Sequence, residues 1–139
     1  MDANLLVYAV DEQSPDHHAA RSWLEARLSG RTRVGLPWAS LLAFTRIVTL
    51  PRLVANPLEP REAWSFVEGW LDADPAWIPV STPAHRQVVG ELIARHRAGG
   101  NLVPDAHLAA LALEHGVEVC SADSDFARFT EIRWRNPLR

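Results

Sequence analysis

The chain has 139 residues, a formal net charge of −3 and a single cysteine, and all its basic residues apart from histidine are arginines. A chain of this length most simply forms one domain, residues 1–139, whose core needs no disulfides. The small negative charge excludes a globally basic nucleic-acid binder but leaves room for a local basic surface. No apolar run approaches the roughly 20 residues of a membrane span and no leader-like segment opens the chain. We therefore expect a cytoplasmic protein with no membrane partner.

The first third of the chain predicts two strands, each followed by a helix. The run Ala3–Val10 is short, apolar and partly β-branched or aromatic, which predicts a buried strand. Ser14-Pro15-Asp16 then favours a helix start, and the helix is expected to end at Ser29-Gly30. Residues 34–37 predict a second strand, and residues 38–49 an apolar helix stopped by a proline.

The same alternation continues to the C-terminal part of the chain. After a proline-containing loop, the pattern predicts a helix at 60–71, a strand near 77–80, helices at 83–97 and 104–115, and a strand at 117–120. Strands that alternate with helices of ten or more residues favour a parallel sheet covered on both faces. The sequence thus predicts an α/β, three-layer fold with a central, mostly parallel sheet flanked by helices.

Two carboxylates follow the last predicted core strand. The stretch SADSDF places Asp123 and Asp125 just past that strand. A solvated turn is the ordinary explanation of such a pair. In open α/β sheets, however, ligands bind outside the carboxyl ends of the strands, so these side chains are also candidates for a site.

Two further aspartates are expected near the same end of the sheet. Asp105 lies at the start of the helix that leads into the last strand, where a capping role would also explain it, and Asp2 adjoins the first predicted strand. Carboxylates that meet in one small volume raise each other's pKa and destabilise the fold unless a cation is present. Oxygen ligands of this kind suit Mg²⁺ or Mn²⁺.

Three segments together resemble one family. They are DANLLVYAVD, GNLVPDAHLAALALEHGVEVCSADSDFARF and RWRNPL, and they are similar to the PIN-domain family, in particular to the VapC toxins of bacterial VapBC toxin–antitoxin pairs. The resemblance extends over nearly the whole chain. It implies a Mg²⁺- or Mn²⁺-dependent endoribonuclease that hydrolyses RNA phosphodiester bonds as the toxin of a type II pair.

The resemblance also implies roles for individual residues. The family's metal-binding aspartates match Asp2, Asp105 and Asp123, and an often present further acid matches Asp125. The supporting positions match Asn4, which orients the first aspartate, Ser121, which supports the cluster, and Phe126, which anchors the turn. Asp123 or Asp125 is expected to take the proton of the attacking water.

Two positions depart from the family pattern. Ala43 stands where many PIN domains place a glutamate before a residue such as Arg46, so the usual fourth acid is absent. The family also has several apolar residues before its first aspartate, whereas Asp2 here follows Met1, which leaves open a start codon further upstream.

The resemblance implies partners as well. We expect a cognate VapB-like antitoxin, an RNA substrate and a homodimer, and an arginine of the antitoxin is expected to pair with Asp105 or Asp123. The alternative is a catalytically weakened PIN-fold module that binds antitoxin or RNA without efficient cleavage. A receiver-type phosphoryl-transfer domain is disfavoured, because the chain has no lysine.

The histidines are not expected to belong to the site. His107 follows Asp105 by two residues, so the two side chains diverge by roughly 200° around a helix axis. His17-His18 has no partner at zinc-ligand spacing.

Overall fold

The computed structural model describes residues 1–139, which form six α-helices, four strands of two residues and one 3-10 helix. The α-helices are α1 (Ala3–Val10), α2 (His17–Leu28), α3 (Trp38–Val48), α4 (Pro60–Leu71), α5 (His85–His96) and α6 (Leu102–His115). The strands are β1 (Val34–Gly35), β2 (Ala76–Trp77), β3 (Val119–Cys120) and β4 (Trp134–Arg135), and the 3-10 helix is Ser124–Arg128.

The four strands form two separate parallel pairs. Val34 of β1 lies opposite Ala76 of β2, and Val119 of β3 lies opposite Trp134 of β4. The extended residues Met1 and Asp2 connect the pairs: the α-amino group of Met1 donates to the Gly35 carbonyl, and the Asp2 N–H donates to the Cys120 carbonyl. The predicted α/β fold class with parallel strands between helices is confirmed.

The strand predicted at Ala3–Val10 is wrong, because these residues form helix α1. Five of its eight residues are buried, so the run is apolar on nearly every side and its pattern does not separate a buried helix from a buried strand. The Asp2 side chain accepts the N–H of Ala3 and caps the helix. Asp2 therefore precedes a helix, and only Met1 and Asp2 lie alongside the strands.

The other predicted elements are present, with shifts at their ends. Helix α4 has the predicted bounds. Helix α6 begins at Leu102, two residues before Pro104, since a proline in the first turn costs no intrahelical hydrogen bond. Strand β4 was not predicted, because two residues in a polar, arginine-rich stretch give no periodic signal.

Buried side chains gather in two cores. One lies among helices α1 to α4 and contains Phe44 and Leu6, and the other joins α5 and α6 to β3 and contains Phe126 and Phe129. None of the helices is both long and apolar enough to cross a membrane.

Candidate metal centre

Three of the predicted acidic side chains meet at one point. Asp105 lies in the first turn of α6, and Asp123 and Asp125 lie at the start of the 3-10 helix that follows β3. One carboxylate oxygen from each residue lies within 4.8 Å of the other two. The carboxyl end of β3 and the amino end of α6 therefore bring three negative charges into one small volume.

The turn that carries Asp123 and Asp125 is fixed by short-range hydrogen bonds. The Asp123 carboxylate accepts the backbone N–H of Asp125 at 2.8 Å and so caps the 3-10 helix. Phe126 is completely buried beneath the turn. This aromatic anchor leaves the two aspartates exposed on the opposite side of the turn.

Asp2 lies beside this group of three without being a member of it. One carboxylate oxygen accepts the N–H of Ala3 at 2.7 Å, and the other accepts the Ser121 hydroxyl at 2.6 Å. Asn4 donates from its side chain to the Ser121 oxygen at 3.0 Å and accepts the Ala122 N–H at 3.4 Å. Asp2 is thus held in place through Ser121 and by the start of α1.

Ser121 connects Asp2 to the exposed acids. Its hydroxyl donates to Asp2 and accepts both the Asn4 amide and the backbone N–H of Asp123, at 3.0 Å each. A hydroxyl offers one donor and two acceptor lone pairs, so every position is used. Ser121 is completely buried, and its orientation is therefore set by the three groups around it.

The electrostatics of the cluster favour the binding of a cation. Burial, together with the charges of Asp2, Asp123 and Asp125, raises the pKa of Asp105 to about 6. Burial also raises the pKa of Asp2, and the hydrogen bonds from Ser121 and Ala3 only partly oppose this. A bound divalent cation would remove both penalties by compensating the negative charge.

The donor set fits a hard divalent cation. All donors are carboxylate oxygens, which Mg²⁺ and Mn²⁺ prefer over softer metals. Ligand distances of about 2.1 Å place opposite ligands of one Mg²⁺ about 4.2 Å apart. Oxygens within 4.8 Å of one another are already close to that spacing. Asp105, Asp123 and Asp125 are the residues that would hold such an ion.

A known family matches nearly the whole chain. The family model described as "PIN domain" matches residues 1–132. The chain belongs to the PIN-domain family.

Three relatives are similar to this chain over nearly its whole length. Ribonuclease VapC37 of Mycobacterium tuberculosis is 43% identical over 137 residues, which cover 99% of this chain and 95% of the relative. Ribonuclease VapC33 of the same species is 36% identical over 138 residues, covering 99% and 96%. Ribonuclease VapC43, also of that species, is 38% identical over 138 residues, covering 99% and 94%.

The structure of this PIN domain also describes the surroundings of Asp105 and Ala43. Asp105 makes no capping hydrogen bond, because the residue at the helix cap is Asn101. Its charge therefore has no local structural partner and faces the other acids. Ala43 is half-exposed on α3 and contributes no acid.

Sequence reasoning missed a second polar cluster in this PIN domain. His85 of α5 contacts Glu114 at 2.5 Å through Nδ1 and His107 at 3.0 Å through Nε2. Glu114 also accepts the N–H and the hydroxyl of Thr82. His107 is thus used for packing α5 against α6, as its divergence from Asp105 indicated. The only signal in the sequence was the spacing of His107 and Glu114 on one helix, seven residues apart.

Proposed function

We propose that this PIN domain is a Mg²⁺- or Mn²⁺-dependent endoribonuclease and the toxin of a type II toxin–antitoxin pair. The observation that carries the proposal is the meeting of Asp105, Asp123 and Asp125 at the sheet's carboxyl end, with oxygens within 4.8 Å. Relatives named ribonucleases are similar to this chain over 99% of its length, and they support RNA as the substrate class.

The residues of the cluster have distinct proposed tasks. A cation bound there would stabilise negative charge on the scissile phosphate and make a water molecule more acidic. Asp105, Asp123 and Asp125 hold the position, and Asp2 adds charge while it orients Asp123 through Ser121. An exposed carboxylate oxygen of Asp125 or Asp123 would accept the proton of the water that attacks phosphorus. The P–O bond to the leaving ribose oxygen then breaks, and that oxygen takes a proton from solvent water.

Cleavage of cellular RNA by the purified protein tests the proposal. We expect fragments with Mg²⁺ or Mn²⁺, none with a chelator, and at least about a hundredfold slower cleavage by Asp105→Asn, since the isosteric amide removes one charge from the cluster. The matched control is Asp74→Asn, because Asp74 is exposed and lies outside the cluster.

The same assay separates the proposal from its alternative. A PIN-fold module weakened by Ala43 would bind RNA in a filter or mobility-shift assay and release no fragments at any metal concentration. If the wild-type protein binds RNA without cleaving it, the nuclease proposal is wrong and the protein is better described as an interaction module.

We also propose a VapB-like antitoxin as the protein partner. Trp38 of α3 and Trp64 of α4 stack with ring centroids 6.3 Å apart, yet remain 43% and 37% exposed. Leu42 and Phe66 are exposed by 56% and 41% on the same two helices. Aromatic and apolar surface of this kind is typical of protein contacts. An arginine of the antitoxin paired with Asp105 or Asp123 would compete with the cation.

A further inference from the structure

Two exposed arginines near the acidic cluster have no carboxylate partner. Arg128 is the last residue of the 3-10 helix, and Arg97 caps the end of α5 in the short connection to α6. Both side chains are exposed to solvent. The arginines that form ion pairs lie elsewhere in the chain and are Arg21, Arg95, Arg135 and Arg139. Arg97 and Arg128 are therefore free to pair with an anion from outside.

Arg128 lies on the same side of the 3-10 helix as Asp125. A 3-10 helix has three residues per turn, so side chains three residues apart project in the same direction. The Asp125 carboxylate belongs to the acidic cluster, and this side of the helix therefore faces the cluster. With a rise of about 2.0 Å per residue, Arg128 follows Asp125 by about 6 Å along the helix axis. Arg128 is thus placed beside the cluster.

A contact between the end of α5 and the 3-10 helix brings Arg97 close to Arg128. The ring of His96 packs edge-on against Phe129, with the two ring centroids 5.3 Å apart. Arg97 directly follows His96, and Arg128 directly precedes Phe129. Glu131 fastens the same contact, because its carboxylate lies 2.8 Å from His96 Nε2. The two free arginines therefore lie on neighbouring segments of the surface.

The backbone of Arg97 is strained. Its φ of 50° makes it the one residue other than glycine with a positive φ. Helices that end in this left-handed conformation commonly have glycine there, since a side chain is strained in it. The N–H groups of Arg97 and Ala98 both donate to the Ile93 carbonyl, so backbone bonds alone end α5. The helix end thus does not require an arginine side chain at this position.

The negative end of the α5 dipole also gives no sufficient reason for Arg97. A cation near the end of a helix is favourable, but Arg95 already supplies one in the last turn of α5. The strained arginine is better explained by a ligand that its guanidinium binds.

The acidic cluster itself needs cations beside it if it is to receive a polyanion. The charges that shift the pKa of Asp105 come from three other aspartates, and all of them raise it. Arg97 and Arg128 therefore do not neutralise the cluster, which stays available to a metal ion. Carboxylates repel an approaching nucleic acid, and nearby arginines offset that repulsion.

We propose that Arg97 and Arg128 bind the RNA backbone, each contacting a phosphate that neighbours the scissile one. This inference rests on the proposed nuclease function, because that function places the scissile phosphate at the acidic cluster. A guanidinium donates two parallel N–H groups to one phosphate and keeps its charge at neutral pH. Phosphate contacts carry no sequence information, so the two arginines raise the affinity for RNA without selecting a sequence.

An acidic peptide is the competing ligand, since its carboxylates would also pair with Arg97 and Arg128. RNA is favoured because it carries a negative charge at every nucleotide. One strand with a phosphate at the cluster therefore offers further phosphates to both arginines.

Salt-dependent binding of a short single-stranded RNA tests the proposal. Fluorescence anisotropy measures the affinity for a labelled RNA of about 12 nucleotides between about 50 and 200 mM salt, with a chelator present so that the RNA stays intact. One phosphate contact on a single strand contributes about 0.7 to the slope of log affinity against log salt. We expect Arg97→Gly and Arg128→Gln each to lower the slope by about 0.7 and the affinity near 50 mM salt by at least about fivefold.

Arg133→Gln is the matched control. Arg133 is also exposed and outside the ion pairs, but it precedes β4, which runs parallel to β3. Because the acidic turn follows the carboxyl end of β3, Arg133 lies at the opposite end of this strand pair, and its replacement should leave the slope unchanged. Arg97→Gly also controls for folding, since glycine adopts a positive φ without strain and should keep or raise the thermal midpoint.

An unchanged affinity and slope in either Arg97→Gly or Arg128→Gln would overturn the proposal, as would an equal loss in Arg133→Gln or no RNA binding by the wild type. A polyglutamate peptide is measured in parallel. If it binds the wild type and both changes abolish that binding while RNA affinity stays the same, the ligand is an acidic peptide and the proposal is wrong.

The outcome is separable from that of the nuclease proposal, because binding is measured without metal. Reduced RNA affinity in the two variants, together with no cleavage by the wild type in Mn²⁺, would support the arginine contacts and contradict the nuclease proposal. Cleavage by the wild type, together with unchanged RNA affinity in both variants, would contradict the contacts alone.

Discussion

Ser121 shows how one buried hydroxyl organises a charged site. It joins Asp2, Asn4 and the backbone of Asp123, three groups that are 117 to 119 residues or two residues away in sequence. Ser121 therefore connects the start of α1 to the turn that carries the exposed acids. The position of Asp123 depends on this residue as well as on its own turn.

We predict that Ser121→Ala lowers the free energy of unfolding by about 1–3 kcal/mol, because it leaves the Asn4 amide and the Asp2 carboxylate without their buried partner. Urea denaturation measures the change. The control is Ser65→Ala. The Ser65 hydroxyl donates only to the Arg61 carbonyl of its own helix, at an exposed position, so its loss should change the free energy of unfolding by less than about 0.5 kcal/mol. Equal effects of the two changes would contradict the role assigned to Ser121.

The raised pKa of Asp105 predicts a pH dependence of stability. The folded state holds the Asp105 proton up to about pH 6, whereas an unfolded aspartate releases it near pH 4. The folded state thus binds more protons in this window, and the Asp105 contribution to stability falls as pH rises from about 4 to 6.

Denaturation curves at several pH values check this prediction. Asp105→Asn should gain stability relative to wild type as pH rises from 4 to 7 without metal, and added Mn²⁺ should stabilise only the wild type. A constant difference between the two proteins across this range would contradict the charge crowding inferred for the cluster.

At the scale of elements, the contact between α5 and α6 depends on polar side chains as well as on apolar packing. Burial alone would raise the pKa of Glu114, but hydrogen bonds from Thr82 and His85 outweigh it and hold that pKa below its ordinary value. The Glu114 side chain is only 2% exposed. The ionised Glu114 carboxylate stabilises the folded state above the ordinary carboxyl pKa. This contribution is lost as pH falls through the lowered pKa of Glu114.

Glu114→Gln is therefore expected to lower the free energy of unfolding at pH 7 by about 1–3 kcal/mol, with a smaller loss near pH 3. Glu91→Gln is the control, since Glu91 makes only an exposed contact with Gln87. Chemical denaturation of both variants at pH 7 and near pH 3 measures these losses. A loss that does not shrink at low pH would point to packing rather than to charge.

The sequence predicted most elements because their patterns and stop signals were local. Helix α4 has a proline at its start and apolar residues at helical spacing, and both its bounds were predicted. Ala3–Val10 failed for a physical reason: a helix buried on nearly all sides has the same apolar composition as a buried strand, and only the capping by Asp2 separates them.

The acidic cluster was also predictable in part, because some of its residues follow local signals in the sequence. Asp123 and Asp125 follow an apolar strand directly, so their location needed only local information. The role of Asp2 beside Ser121, and the pairing of His85 with His107, depend on contacts between distant parts of the chain, which no spacing in one sequence reveals.

At the scale of the whole molecule, the exposed Trp38 and Trp64 pair predicts where a partner binds. Trp64→Ala should weaken co-purification with the small protein encoded by an adjacent gene by at least about tenfold, since aromatic anchors carry much of the affinity of interfaces. The control is Trp23→Ala, because Trp23 lies on α2 and lines a cleft to which neither Trp38 nor Trp64 contributes. Equal recovery of the partner with Trp64→Ala and wild type would place the interface elsewhere.

Anomalous diffraction from crystals grown with MnCl₂ shows whether the acidic cluster binds a divalent cation. We expect an anomalous peak about 2.2 Å from carboxylate oxygens of Asp105, Asp123 and Asp125 in the wild type, and none in Asp105→Asn. A saturated Mn²⁺ soak with no peak at the cluster, or with a peak only at other residues, would contradict it.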